Sequence, residues 1–251
     1  MPELKIQRDI PSKVTEIVRQ THDTAVFKFS VPENFEYYAG QFMMLRVDMK
    51  EVNGFKIRDN KNPSQIRAFS MSSTPTDKGF VETAIKAEED GFVSVYMNKM
   101  SQVGDAVKVS GPFGKFYFKE NMSNEVVLIG AGSGITPLIG IMRYVVAKKL
   151  PVKVTLLYSN KTPQDIVYEK ELAELSSFSN IKVVHTITRS QEHHKWEGHK
   201  GRINPELIKQ YIPEITKPLF YICGSPEFSH EMESMVRKAG APAERVHIEK
   251  W

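Results

Sequence analysis

Val126-Val127-Leu128-Ile129-Gly130-Ala131-Gly132-Ser133-Gly134-Ile135-Thr136-Pro137 is the stretch that decides how this chain reads. The four leading residues, all of buried type, read as a short central strand, and three glycines at alternate positions then make a tight turn. From Ile135 the period changes: Ile135, Leu138, Ile139, Met142, Val145 and Val146 fall on one face of a helix. A glycine turn between strand and helix aims backbone N–H groups at open space, and the helix dipole adds partial positive charge there, so the place suits a phosphate. The spacing Gly-x-Gly-x-Gly is not the longer fingerprint Gly-x-Gly-x-x-Gly. By itself it therefore reads either as a dinucleotide site or as a plain βα turn.

The chain beyond this stretch keeps the same rhythm. Strand candidates at Glu125–Ile129, Val152–Tyr158, Ile181–Thr188, Leu219–Cys223 and Val246–Ile248 alternate with helical stretches. Asn204-Pro205-Glu206 supplies an N-cap, a proline at the first helical position and an early acid, the signature of a helix start. Alternating β and α predicts a mostly parallel, doubly wound sheet. Ahead of it, Ser12 to Gly111 is β-rich: Lys13–Arg19, Thr24–Val31, Ala39–Leu45, Arg67–Met71, Phe80–Ala87 and Ala106–Ser110 read as short strands, with one helix near Val93–Met100. Short strands between turn signals predict a sandwich or barrel. Two folding periods mean two domains, 1–122 and 123–251, joined near Asn121–Asn124.

Composition narrows the class. At 251 residues, 41% hydrophobic and 25% charged, the chain has the make-up of a globular protein. No apolar run reaches membrane-spanning length, so no transmembrane segment is expected. Met1–Lys5 does not open like a secretory signal, which predicts the cytoplasm. The single cysteine, Cys223, excludes an intramolecular disulfide and a four-cysteine iron–sulfur cluster carried by these residues. A net charge of +4 without a dense Lys/Arg stripe gives no sign of nucleic acid as a partner.

Other residues carry possible chemistry. Arg67-Ala68-Phe69-Ser70 sets a cation, an aromatic plane and a hydroxyl on one strand, groups suited to a phosphate, a flat ring and a ring nitrogen; the plain alternative is an ordinary half-exposed strand. Gly91-Phe92-Val93-Ser94 opens the helix of the β half, a second possible anion site or simply a capped helix. In His193-His194-Lys195-Trp196-Glu197-Gly198-His199 no second ligand pair follows at a zinc spacing, so a solvated loop is expected and no metal. The long polar stretch Asp48–Asn62 reads as a loop, a candidate for contact with the adenine end of a cofactor or with an acceptor.

Taken in order, Gly40-Gln41-Phe42, Arg67-x-Phe69-Ser70, Gly91-x-x-Ser94, Gly111-Pro112-x-Gly114, Gly130-x-Gly132-x-Gly134-Ile135-x-Pro137, Cys223-Gly224-Ser225-Pro226 and Glu249-x-Trp251 resemble the ferredoxin–NADP reductase family of flavoproteins over nearly the whole chain. The resemblance implies a six-stranded antiparallel Greek-key flavin barrel followed by a doubly wound nucleotide-binding domain. Position by position, it implies that Arg67 binds flavin phosphate, that Phe69 packs beside the flavin where the family usually has tyrosine, and that Ser70 hydrogen-bonds near N5. Gly91, Val93 and Ser94 match the segment for the flavin phosphates; the arginine common in FMN-binding members is missing, which favours FAD. Gly130, Gly132, Gly134, Thr136 and Pro137 match the nicotinamide-cofactor loop. Cys223, with Gly224, matches the cysteine near the nicotinamide, and its thiol also reads as a small buried hydrophobe. Glu249 matches an acid near that site, and Trp251 a terminal aromatic covering the flavin.

For the 2′-phosphate that separates NADPH from NADH, the resemblance points beyond the second and third strands of the nucleotide domain. There the chain offers Ser159, Asn160 and Lys161, then Thr188, Arg189 and Ser190. The expected activity is hydride transfer from NADPH or NADH to FAD, with Ser70, Cys223 and Glu249 at the reacting centre and electrons leaving to a ferredoxin, a flavodoxin or an oxygenase component. The alternatives are an electron-transfer or regulatory subunit of a larger complex, or a flavin or quinone reductase.

Overall fold

A computed structural model describes residues 4–48, 64–89, 91–190 and 196–250. Its contacts divide the chain into two compact units, with the boundary between Tyr117 and Phe118.

In the first unit β1 (Gln7–Arg19), β2 (Thr24–Ser30), β3 (Phe42–Asp48), β4 (Ser64–Ser70), β5 (Phe80–Lys86) and β6 (Ala106–Phe113) form a six-stranded antiparallel sheet in the order β4-β3-β6-β1-β2-β5. Alternation decides its inside. Met43, Leu45 and Val47 of β3 point into a core with Phe27, Phe29, Ile85 and Val109, while Phe42, Met44 and Arg46 point outward. The long strand β1 pairs with β6 along its first half and with β2 along its second. Register shifts at Gln7/Ile10 and Val14/Glu16 curl the sheet there. Its two ends meet through the residues just after β4: the Ser72 N–H donates to the Glu82 carbonyl (2.8 Å), the Ser72 hydroxyl to Glu82 Oε1 (2.8 Å), and the Glu82 N–H to Ser73 Oγ (3.0 Å). Helix α1 (Phe92–Met100) packs against β4 and β5, and Asn98 ties it down by donating to the Ile85 carbonyl at 2.9 Å.

The second unit alternates as its periods predict: β7 (Glu125–Ala131), α2 (Ile135–Ala147), β8 (Lys153–Asn160), α3 (Glu169–Leu175), β9 (Ile181–Ile187), β10 (His199–Lys200), α4 (Pro205–Tyr211), β11 (Leu219–Gly224), α5 (Pro226–Lys238) and β12 (Val246–Lys250). All pairings are parallel, in the order β10-β9-β8-β7-β11-β12. The two-residue strand β10 escapes sequence reading, because two residues have no period. Val127, Ile129, Phe220 and Ile222 face a core with Leu207, Ile208, Met232 and Val236 of α4 and α5. The opposite face receives α2, whose Leu138 lies where a Cβ on Gly130 would sit, 2.8 Å away. Asn204 caps α4 as its sequence predicts, its side chain accepting from the Leu207 N–H at 2.8 Å.

Candidate functional site

The strand order fixes where a ligand can enter the second unit. From β7 the chain winds outward through β8 and β9, then returns to the other side of β7 with β11 and β12. Between β7 and β11 the order reverses, and such a reversal leaves a crevice at the strand carboxyl ends. The turn Gly130–Gly134 and the segment Cys223-Gly224-Ser225-Pro226 both lie there, each running into a thirteen-residue helix. Two helix N-termini therefore converge on one crevice, an arrangement suited to a pyrophosphate.

Each glycine of the turn has its own reason. A Cβ on Gly134 would stand 2.2 Å from the carbonyl oxygen of Cys223 and 2.9 Å from the Gly224 nitrogen, so only glycine lets the two chain segments touch. Gly132 sits at φ +52°, with nothing within 4 Å of where a Cβ would be. Gly224 makes room for Phe228, whose ring lies 2.6 Å from its would-be Cβ. Thr136 and Pro137 are buried, and the Thr136 hydroxyl donates to the Ser133 carbonyl at 2.7 Å, so its visible work is to shape the turn. At the start of α5 the Ser225 hydroxyl accepts from the Phe228 N–H at 3.3 Å.

Parallel register lines up a row across the sheet: His185, Tyr158, Gly130, Cys223 and Glu249 are successive partners and share a face. Cys223 is fully buried, as its hydrophobic reading predicts, and Glu249 is half-buried beside it on the outer strand. Ser229 of α5 secures that edge by donating to the Glu249 carbonyl at 3.1 Å. Trp251 lies outside the described residues.

The loops after β8 and β9 are zipped together. The Thr188 N–H and hydroxyl donate to the Asn160 carbonyl (2.9 and 3.2 Å), and the Arg189 N–H donates to the Lys161 carbonyl (2.8 Å). Lys161, Thr188 and Arg189 are exposed at this edge, whereas Ser159 and Asn160 are buried. Among the described residues neither amide atom of Asn160 finds a hydrogen-bond partner of normal geometry.

In the first unit, Arg67 and Phe69 are two apart on the edge strand β4 and share the face on which α1 packs. Arg67 is exposed and Phe69 partly buried against the core, while Ser70, on the alternate face, is 5% exposed. Gly91 precedes α1 because space demands it: a Cβ there would meet Ser94 Oγ at 2.3 Å and Glu88 Cβ at 2.9 Å. The Ser94 hydroxyl donates to the Gly91 carbonyl (2.9 Å) and accepts from the Glu88 N–H (3.3 Å), and Val93 is buried. The helix N-terminus itself, rather than the Ser94 hydroxyl, is what this segment offers an anion. A guanidinium, an aromatic plane and a helix N-terminus on one side of an edge strand fit a flavin with its phosphates.

Of the histidine cluster, His193, His194 and Lys195 lie outside the described residues, as do positions 49–62 of the long polar loop. His199 pairs with the Tyr211 hydroxyl at 2.8 Å, and the Trp196 indole donates to the His199 carbonyl at 3.0 Å. Among the described residues no group of three or more His, Cys, Asp or Glu is placed to hold a metal, and no helix is long and apolar enough to cross a membrane.

Known proteins carry the same two units in the same order. The oxidoreductase FAD-binding domain family matches residues 11–118, and the oxidoreductase NAD-binding domain family matches residues 128–238. The chain belongs to the ferredoxin–NADP reductase-like flavoprotein oxidoreductases. It carries an FAD-binding domain followed by a nicotinamide-nucleotide-binding domain. This flavoprotein is 29% identical over 217 residues to the flavohemoprotein of Bacillus subtilis, covering 85% of this chain and 51% of that one. It thus spans about half of that relative's length. NADH-cytochrome b5 reductase 1 of Cryptococcus neoformans is 28% identical over 241 residues, covering 90% of this chain and 76% of the other. In fold it follows the FAD/NAD-binding domain of nitric oxide dioxygenase from Vibrio cholerae, with a TM-score of 0.83 at 22% identity over 98% and 99% of the two chains.

Proposed function

We propose that this flavoprotein takes reducing equivalents from NADPH, holding FAD on residues 1–122 and the coenzyme on residues 123–251, and passes electrons to a separate protein acceptor: a ferredoxin, a flavodoxin or an oxygenase component. The observation that carries the reading is the crevice between β7 and β11, where two helix N-termini and the Gly134–Cys223 contact meet above the row Gly130–Cys223–Glu249. Bound FAD would supply the redox chemistry, hydride acceptance and onward electron transfer. Hydride transfer needs no side-chain base, so the chain's own part is binding and orientation. Arg67 and the start of α1, with Gly91, Val93 and Ser94, hold the flavin phosphates; Phe69 lies beside the ring and Ser70 reaches toward its N5 edge. Gly130, Gly132 and Gly134 cradle the dinucleotide, with Thr136 and Pro137 fixing the turn. Cys223, Gly224 and Glu249 set polarity and shape around the nicotinamide. The cytochrome b5 reductases among the relatives support a protein as acceptor, and the single cysteine leaves no four-cysteine cluster within these residues to serve as one. Purified protein is expected to be yellow, to release FAD on denaturation, and to oxidise NADPH with ferricyanide unaided. Release of FMN, or no ferricyanide turnover, overturns the reading.

NADPH is favoured over NADH because the exposed edge after β8 and β9 carries Lys161, Thr188 and Arg189 and opens with no acid to repel a 2′-phosphate. A charge-assisted contact to that phosphate contributes about 1.5 kcal/mol at an exposed site, roughly tenfold. Arg189→Ala is therefore expected to lower kcat/KM for NADPH about tenfold and to leave that for NADH within about twofold. Equal use of the two coenzymes by the wild type, or a preference untouched by the substitution, removes Arg189 from the site.

A further inference from the structure

Tyr158 reads in the sequence as one more core residue of β8, and it is 0% exposed. A phenylalanine would fill the same space beside His185 and Gly130. The hydroxyl is an added polar group in the interior, costly to bury unless it is bonded. It donates to the carbonyl of Gly132 at 2.9 Å. Gly132 is the residue of the turn in the left-handed region, at φ +52°, which glycine adopts without a steric penalty, and its carbonyl also accepts from the Ile135 N–H. Burial pushes the Tyr158 phenol far above its ordinary range, with the Asp165 charge adding to it, so the hydroxyl remains a donor. The Val167 N–H and the Asn160 side chain lie against the same oxygen.

Val167 belongs to a segment that is itself held. Asp165 accepts from the Thr162 N–H (2.8 Å) and hydroxyl (2.7 Å). The guanidinium of Arg143 covers the Tyr168 ring at 5.1 Å and grips both carboxylate oxygens of Glu171 (2.6 and 2.7 Å). Tyr158 therefore joins the left-handed residue of the glycine turn to a fixed neighbour. Because a peptide group is planar and trans, anchoring the Gly132 carbonyl also sets the Ser133 N–H, which points the opposite way.

We propose that Tyr158 is a positioning residue for the nicotinamide coenzyme: its hydroxyl fixes the peptide plane after Gly132 and thereby pre-aims the turn's N–H groups before the dinucleotide arrives. This rests on the reading of Gly130–Pro137 as the dinucleotide loop. The test is Tyr158→Phe in the full-length, FAD-loaded protein, beside Gly132→Val, with kcat and KM measured for NADPH and NADH against ferricyanide, and with FAD content and Tm recorded. Loss of one orienting hydrogen bond is expected to raise KM for both coenzymes about threefold to tenfold, with kcat within twofold and FAD load unchanged. A Tm shift with KM unmoved in Tyr158→Phe, while Gly132→Val raises KM, overturns the positioning role and spares the loop. Unmoved KM in both variants overturns the loop reading and the positioning role with it.

Discussion

Gly134→Ala is expected to abolish most nicotinamide-driven turnover while leaving FAD in place. Gly134 has φ −62° and ψ −9°, an ordinary helical conformation that alanine adopts freely, so strain in the backbone is not the issue. The obstacle is steric: the new methyl would lie 2.2 Å from the Cys223 oxygen, 2.5 Å from its carbonyl carbon and 2.9 Å from the Gly224 nitrogen. All three are backbone atoms of β11 and its exit, and none can rotate away. The turn after β7 must therefore part from the end of β11, which opens the crevice where both helix N-termini converge. Overpacking of this kind costs about 1–3 kcal/mol, or roughly 3–10 °C in the melting of the nucleotide half. A misplacement near 1 Å at a binding loop lowers turnover on the order of 100-fold. Gly132→Ala is the contrasting variant: it has open space and only the left-handed penalty of about 1–2 kcal/mol. Stopped-flow reduction by NADPH and a thermal melt check both. Wild-type rates and melting for Gly134→Ala would show that the contact with Cys223 does not matter.

Arg67→Ala is expected to strip the protein of FAD without unfolding it. The Arg67 side chain is exposed on the edge strand β4, and among the described residues it donates to its neighbour's carbonyl, that of Ile66, at 2.7 Å. Removing such a group changes stability by no more than about 0.5 kcal/mol. A guanidinium bonded to a phosphate contributes about 1.5–3 kcal/mol, so FAD affinity is expected to fall roughly 10- to 150-fold. Arg67→Lys keeps the charge and loses the fork, and an intermediate affinity is expected. The ratio of flavin to protein absorbance after gel filtration, with reconstitution of apoprotein by titrated FAD, measures this directly. A full flavin load in Arg67→Ala excludes Arg67 from the phosphate site.

The residues named in these variants differ in how far the sequence exposes them. The turn Gly130–Gly134 is legible as a strand–glycine–helix junction, because period and glycine spacing are local. The separate places of Arg67, Phe69 and Ser70 on one strand follow from alternation. What Gly134 does is not legible, since its constraint is the Cys223 backbone, far along the chain and brought close only by the return of β11 beside β7. Thr136 and Ser94 show the opposite case. Both residues match cofactor-binding segments, and in the structure both hydroxyls hydrogen-bond within their own turns, a choice that depends on side-chain rotamers.

The amino-acid sequence by itself determined the two-domain division of periods, the parallel alternation of the second half, the β-rich first half and the helix starts, because each rests on spacing between near neighbours. Tertiary structure alone decided how the first sheet's ends meet through Ser72, Ser73 and Glu82, that His199–Lys200 adds an edge strand, and that Tyr158 holds Gly132. These are contacts between residues distant in the chain, or features too short to have a period. Their partners are chosen by packing and hydrogen-bond satisfaction once the strands are in order.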